Sequence, residues 1–216
     1  MPNEIKEKTK IPLSYYIGYG IFYMMQGYSM TFLPFFMPGY MTRVLGLSIS
    51  ATAATMSIAF IPWAIKIVPG IISDAVPWGR FGRRRPYIAL MSIVAAISAF
   101  SLMFVIQYSA LFVALLFCFY LGVAFTDAVT DALALDAVPQ ERYGFMLGVG
   151  WGCRAAGAAL AGIFGAQLLE VYGWSAAFLA AGIHYLLMTA SLALKEPEIT
   201  AEKRITKALL KETFTS

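Results

Sequence analysis

The sequence predicts an all-α polytopic membrane protein, and two observations carry that expectation. The 216 residues are 60% hydrophobic and only 13% charged, with a mean hydropathy of +0.72, whereas a soluble domain is roughly a quarter charged. So little charge cannot clothe a globule in water, and lipid is the natural solvent for much of the surface. The second observation is six apolar stretches of roughly 21–28 residues, each above the roughly 20 that a helical span requires. Hydrocarbon leaves no partner for free amides, so each stretch must close its own hydrogen bonds as a helix.

In chain order the expected spans are Ile11–Pro38, Ser48–Ser73, Tyr87–Gln107, Ala110–Asp136, Tyr143–Leu169 and Trp174–Leu194. The first follows Lys6, Lys8 and Lys10 as a signal peptide would, but it is long and lacks a small-residue cleavage site, so it is expected to be retained. Pro34 and Pro38 are expected to kink or end its outer part. In the fifth, Gly157, Ala161 and Gly165 recur at four-residue steps, a stripe for close packing either within the bundle or against another half. Short connections make neighbouring spans antiparallel. The expected organisation is a tail over 1–10, a six-helix domain over 11–194, and a basic tail over 195–216. That tail reads either as an amphipathic helix on the inner leaflet or as disorder.

Charge sets the orientation. Lys6, Lys8, Lys10, Arg80, Arg83, Arg84, Arg85, Arg142 and the lysines and arginine of the last tail fall on one side of the alternating connections, and Arg43 alone falls on the other. Positive residues stay inside, which predicts both termini in the cytoplasm of a protein of the cell (inner or plasma) membrane. The basic balance therefore describes membrane orientation and no nucleic-acid footprint. No metal-ligand spacing, nucleotide loop or Ser/His/Asp set is present, so no cofactor, no metal and no enzyme is expected. Cys118 and Cys153 read as packing residues, and His184 as a packed polar side chain or a proton relay.

Between the second and third stretches the order is Gly70-x-x-x-Asp74, then Arg80-Phe-Gly82-Arg83-Arg84-Arg85. A glycine allows close helix approach, an acid closes one helix and a glycine-bearing basic turn opens the next. Asp136, about 140° around its helix from Asp131, reaches the same surface. Topological anchoring alone explains the sign of this charge. Its pattern, with Asp74, Asp136 and Glu141 as acceptors for Arg80, Arg83 or Arg84, reads as a latch at a helix hairpin.

This loop resembles the signature loop of the major facilitator superfamily, with Ala75–Gly79 as extra residues. "PWAIKIVPGIISDAVP" at 62–77 with "GRRRPYI" at 82–88 is similar to its folate-biopterin, sugar-cation and muropeptide/acetyl-CoA transporter branches. "TDAVTDALALDAVPQERYGFMLGVGWGCRAAGAALAG" at 126–162 is similar to spans four and five of the muropeptide-permease group. The resemblance covers about residues 11–195 and implies one six-helix repeat of a twelve-helix carrier. It implies a half-size secondary transporter that moves a small solute by alternating access, driven by an ion gradient, as a homodimer or with a separate second half. The competing expectation is a non-transporting scaffold or regulatory half, or the N-terminal fragment of a longer carrier.

Ionisable side chains inside spans are the candidate substrate or proton-coupling residues: Lys66, Asp127, Asp131 and Arg154. Asp127 lies twelve residues before Pro139 and Arg154 eleven after Tyr143, matching depths of about 18 Å. Asp131 and Lys66 lie about 12 Å from the inner face by the same count. The expectation is two opposite-charge pairs at two levels, either purely structural or lining a cavity. Tyr23 and Gln26, near mid-span, either contact solute or cap the packing.

Overall fold

The computed structural model describes residues 13–78 and 81–190, and all regular structure among them is helical. Helix α1 spans Leu13–Arg43, α2 Ile49–Ala59, α3 Ile61–Ala64, α4 Ile67–Ala75, α5 Arg85–Leu102, α6 Ala110–Asp136 and α7 Tyr143–Met188. Both expected tails lie outside the described residues. Among the described residues, three helical runs are long and apolar enough to cross a membrane by length and composition: α5, α6 and Gln140–Met188.

The apolar stretches become helices with three local differences. First, α1 runs five residues past Pro38 to Arg43, because hydrogen bonds from the following turn carry the helix on. It stops where Gly46 takes a φ of 68° and the Leu47 amide turns back to the Met41 carbonyl. Second, the stretch 48–73 is three helices in line. A proline has no N–H and its ring collides with the carbonyl four residues earlier. Pro69 therefore disrupts Ile65, which takes a φ of −103° and ψ of 20° at the α3–α4 break, and Pro62 acts near the break at Phe60. Third, α7 holds two expected spans, divided at Gly173, whose φ of 74° and ψ of −173° only glycine adopts without strain.

The polarity of the bundle is inverted relative to a soluble protein. Ile49, Ile67, Phe104 and Phe145 stand exposed, while Gln26, Asp127 and Arg154 are buried. Tyr19, Phe32, Leu33, Phe119 and Tyr185 fill the interior beside them. Such a surface is stable against hydrocarbon and unstable in water.

Small residues bring α1 and α7 close. A Cβ on Gly27 would run into the Arg154 carbonyl, one on Gly157 into the Met24 carbonyl, and one on Gly165 into the Phe32 ring. The Gly157–Ala161–Gly165 stripe therefore packs inside this bundle, as lipid-embedded helices do where backbones must approach. Gly70, by contrast, faces open space, so it brings no neighbouring helix of this bundle closer. Gly27→Ala should cost about 1–3 kcal/mol through overpacking, read as a lowered thermal midpoint in detergent. Gly162→Ala, which meets open space, should leave that midpoint unchanged.

Candidate functional site: a buried charge cluster and a basic latch

Three elements deliver charge to one point, and α1 adds two polar side chains. The proline-induced break carries Lys66 to α6, where Asp127 and Asp131 share a face at i, i+4. The close α1–α7 crossing brings Arg154 beside Tyr23 and Gln26. Lys66 Nζ pairs with Asp127 Oδ2 and lies 3.6 Å from Asp131 Oδ2. An Arg154 Nη donates to Asp127 Oδ1 at 2.5 Å, lies 3.7 Å from Asp131 Oδ1 and donates to Gln26 Oε1 at 2.7 Å. Tyr23 Oη donates to Asp131 Oδ1 at 2.8 Å.

Both expected pairs form, but they merge into one cluster rather than standing apart at two levels. Lys66 reaches past Asp131 to Asp127 because the break lets the chain turn toward α6. Two cations then bracket one fully buried carboxylate. Tyr23 and Gln26 are members of this cluster, each holding one charged partner. Aromatic faces complete it: Arg154 lies 5.1 Å from the Tyr23 ring centre and 4.7 Å from that of Trp151, and Lys66 is 5.3 Å from that of Trp63.

Exposure divides the cluster in two. Asp127 is 0% exposed, whereas the side chains of Lys66 and Asp131 are each 33% exposed. A charge sealed in low dielectric costs several kcal/mol unless paired, and Asp127 has both cations. Asp131 sits at longer range from them and is partly exposed.

At the end of the bundle where α4 meets α5 lies the second ionic site. Arg83 pairs with Asp74 at 2.9 Å and also with Asp136. Arg84 pairs with Asp74 at 2.8 Å, with Asp136 at 2.6 Å and donates to Ser73 Oγ at 3.2 Å. Gly82, with a φ of 99°, turns the chain so that both arginines face the acids. Three helices, α4, α5 and α6, are thereby tied at one end.

Residues 16–215 match the family model of the Major Facilitator Superfamily. The chain belongs to that superfamily. It is 31% identical over 159 residues to the probable folate-biopterin transporter 4 of Arabidopsis thaliana, covering 70% of this chain and 32% of that protein. It is 32% identical over 165 residues to the folate-biopterin transporter of Synechocystis sp., covering 74% and 33%. The chain thus spans about a third of the length of these curated relatives. The in meso crystal structure of the POT family transporter PepTSo superposes with a TM-score of 0.67 at 17% identity, over 86% of this chain and 39% of that one, a likeness of fold. Of the three branches that the loop resembles, the folate-biopterin branch is the one to which these relatives belong.

In this major facilitator chain, the sequence picks out the ionic residues with Tyr23 and Gln26 and misses three other neighbours. Lys66, Asp127, Asp131, Arg154, Tyr23 and Gln26 meet in the cluster; Asp74, Arg83, Arg84 and Asp136 meet in the latch, with Gly82 at its turn. Arg80 lies outside the described residues, and Glu141 is exposed. Ser73, Trp63 and Trp151 are additional contacts. Trp151 is legible afterwards, three residues before Arg154 and so on the same helix flank, while Ser73 required the fold of the loop. His184 is packed: its Nδ1 donates to the Ala180 carbonyl at 2.6 Å, and its ring stacks on Tyr28 at 4.6 Å. Cys118 and Cys153 are free, and no group suited to a metal occurs among the described residues.

Arg154→Met should destabilise the fold by about 3–5 kcal/mol, since it leaves a buried carboxylate short of a partner. Adding Asp127→Asn should recover part of that loss, read as a rise in detergent thermal midpoint over the single variant. A midpoint for the pair at or below the sum of both single losses would show that the two residues do not interact.

Proposed function

We propose that this chain forms one six-helix repeat of a proton-coupled secondary carrier of the cell membrane, with the latch and both ends of the repeat cytoplasmic. The observation that supports this reading most strongly is the half-open charge cluster at Lys66, Asp127, Asp131 and Arg154. It holds two cations and two carboxylates, so it is neutral as it stands. Protonating a carboxylate leaves one positive charge in excess, and an arriving anionic group restores balance. Each event favours the other, and that mutual preference is a coupling free energy between proton and solute.

The solute is folate- or biopterin-like in this reading, on the strength of the two relatives' names. Trp63, Trp151 and Tyr23 beside the cluster suit a planar ring, and Lys66 and Arg154 suit its acidic groups. One repeat lines one wall of a cavity. The other wall comes from a second copy of this chain or from a separate or covalently continuing second repeat.

The latch would set the direction of opening. Charge-assisted hydrogen bonds are worth roughly 1.5–3 kcal/mol each, so bonds from Arg83 and Arg84 to Asp74 and Asp136 hold α4, α5 and α6 together when the cytoplasmic side is shut. Breaking them frees that end, which is alternating access in its local form.

Liposomes containing the protein should take up labelled folate or biopterin faster when the outside is acidic. Asp127→Asn should remove that pH dependence with a loss of driven uptake of at least roughly tenfold. Driven uptake with an unaltered pH profile in Asp127→Asn would sink the coupling role. In the latch, Asp74→Asn should shift the population toward the cytoplasm-open state by about tenfold, equivalent to 1.4 kcal/mol. The shift is measurable as faster thiol labelling of a cysteine placed in the cavity, and an unchanged labelling rate would leave the loop as a topological anchor.

A further inference from the structure

At the end of the bundle opposite the latch, α1 and α7 line a cleft of about 500 Å³. Arg43, the last residue of α1, contributes a guanidinium to it, and Glu170, three residues before the break at Gly173, contributes a carboxylate. Phe35, Phe36 and Trp174 supply aromatic lining beside the small Ala166. The rings are held in place: Trp174 packs on Tyr40 with centres 5.1 Å apart, and Phe36 meets Phe32 and Phe35 edge-on at 5.3 Å. Arg43 and Glu170 are both exposed, and among the described residues neither has an ion-pair partner.

Clefts of roughly 300–1,000 Å³ with aromatic walls and a few polar groups are the usual form of a small-molecule site. A cation and an anion that do not pair with each other suit a ligand with a carboxylate for Arg43 and a hydrogen-bond-donor edge for Glu170. Aromatic walls favour a flat body over a flexible acyl chain. A metal ion fits poorly, because Glu170 is the one anionic group in the lining and a guanidinium shares it. One flank of α7 also joins this cleft to the charge cluster. Trp151, Ala155, Ala158, Gly162, Ala166 and Leu169 follow at steps of three or four residues, so they share a side of the helix, exposed or half-buried throughout. Trp151 borders Arg154 and Leu169 lines the cleft. Between them that flank carries nothing larger than a methyl group over about 27 Å.

We propose that this cleft is an outer receiving site for the solute, where Glu170 pairs with the aminopyrimidine-type donor edge of a planar molecule and Arg43 with its carboxylate, before the molecule passes along the α7 flank to Lys66 and Arg154. The carboxylate of Glu170 accepts two N–H bonds from such an edge, and the guanidinium of Arg43 donates two to a carboxylate, each as a fork. The two residues thus read different ends of one molecule, while Phe36 and Trp174 take its flat body. Small residues on the flank leave no side chain across the way. The inference rests on the folate-like carrier reading for the solute's identity and for the outward side of the cleft. The cleft, its rings and its unpaired charges stand without that reading.

Equilibrium dialysis of labelled probes against the full chain in detergent tests the two ends separately. Folic acid carries both groups, biopterin the donor edge without a carboxylate, and p-aminobenzoylglutamate the carboxylates without that edge. Glu170→Gln should weaken folic acid and biopterin at least about tenfold and leave p-aminobenzoylglutamate unchanged. Arg43→Gln should weaken folic acid and p-aminobenzoylglutamate by as much and leave biopterin unchanged. Ala166→Trp, which fills the cleft from an exposed position, should weaken all three, with thermal midpoints showing each variant folded. Wild-type affinities in every variant, or the same loss for every probe in both charge variants, would overturn the receiving site and leave the folate-like reading standing. Loss of co-purified phospholipid from Arg43→Gln and Glu170→Gln with probe binding intact would also overturn it, assigning the cleft to a lipid headgroup. If the unmodified protein binds none of the probes, the folate-like reading falls and the site with it. The crossed pattern without uptake into liposomes would uphold the site and sink the carrier reading alone.

Discussion

The bracketed carboxylate of Asp127 is the constraint on which the rest of the bundle depends. A fully buried acid among apolar helices is tolerable only with compensating charge in contact with it, and that charge comes from two other elements. Lys66 arrives because Pro69 interrupts the helix ahead of it, and Arg154 arrives because glycines allow α7 to press against α1. Helix packing and ion pairing are thus one problem. The backbone approach at Gly27 sets where the guanidinium lies, and the guanidinium neutralises the acid that would otherwise keep α6 out of the core.

The two ionic sites differ in what they can do. In the latch, Asp74 and Asp136 each accept from two arginines near the surface, so the site joins the ends of α4, α5 and α6. In the cluster the charges are unequal in exposure, with Asp127 sealed and Lys66 and Asp131 partly open. The aromatic rings of Trp63, Trp151 and Tyr23 border the cluster.

Much of this was legible in the residue order because hydrocarbon is an unforgiving solvent. The fourth apolar stretch, Ala110–Asp136, is also the observed α6, since a run of apolar residues opening after Ser109 and closing before Pro139 has few alternatives. Ionisable residues inside such runs announce themselves by their expense, which is why Asp127, Arg154 and Lys66 stand out unaided. The breaks were written there as well, in Pro62, Pro69 and Gly173, although a hydropathy average passes over them.

What the sequence determined by itself is the solvent, the helical class, the superfamily loop and the identity of the costly charges, all of which follow from local composition and spacing. What only the tertiary structure decided is who meets whom. Depth counted along separate helices placed Lys66 with Asp131 and Asp127 with Arg154. The fold keeps both pairs and crosses them, with Lys66 also on Asp127 and Arg154 also near Asp131, because the turn at Ile65 and the crossing of α1 with α7 set lateral position, and distance along an axis carries no information about the direction around it.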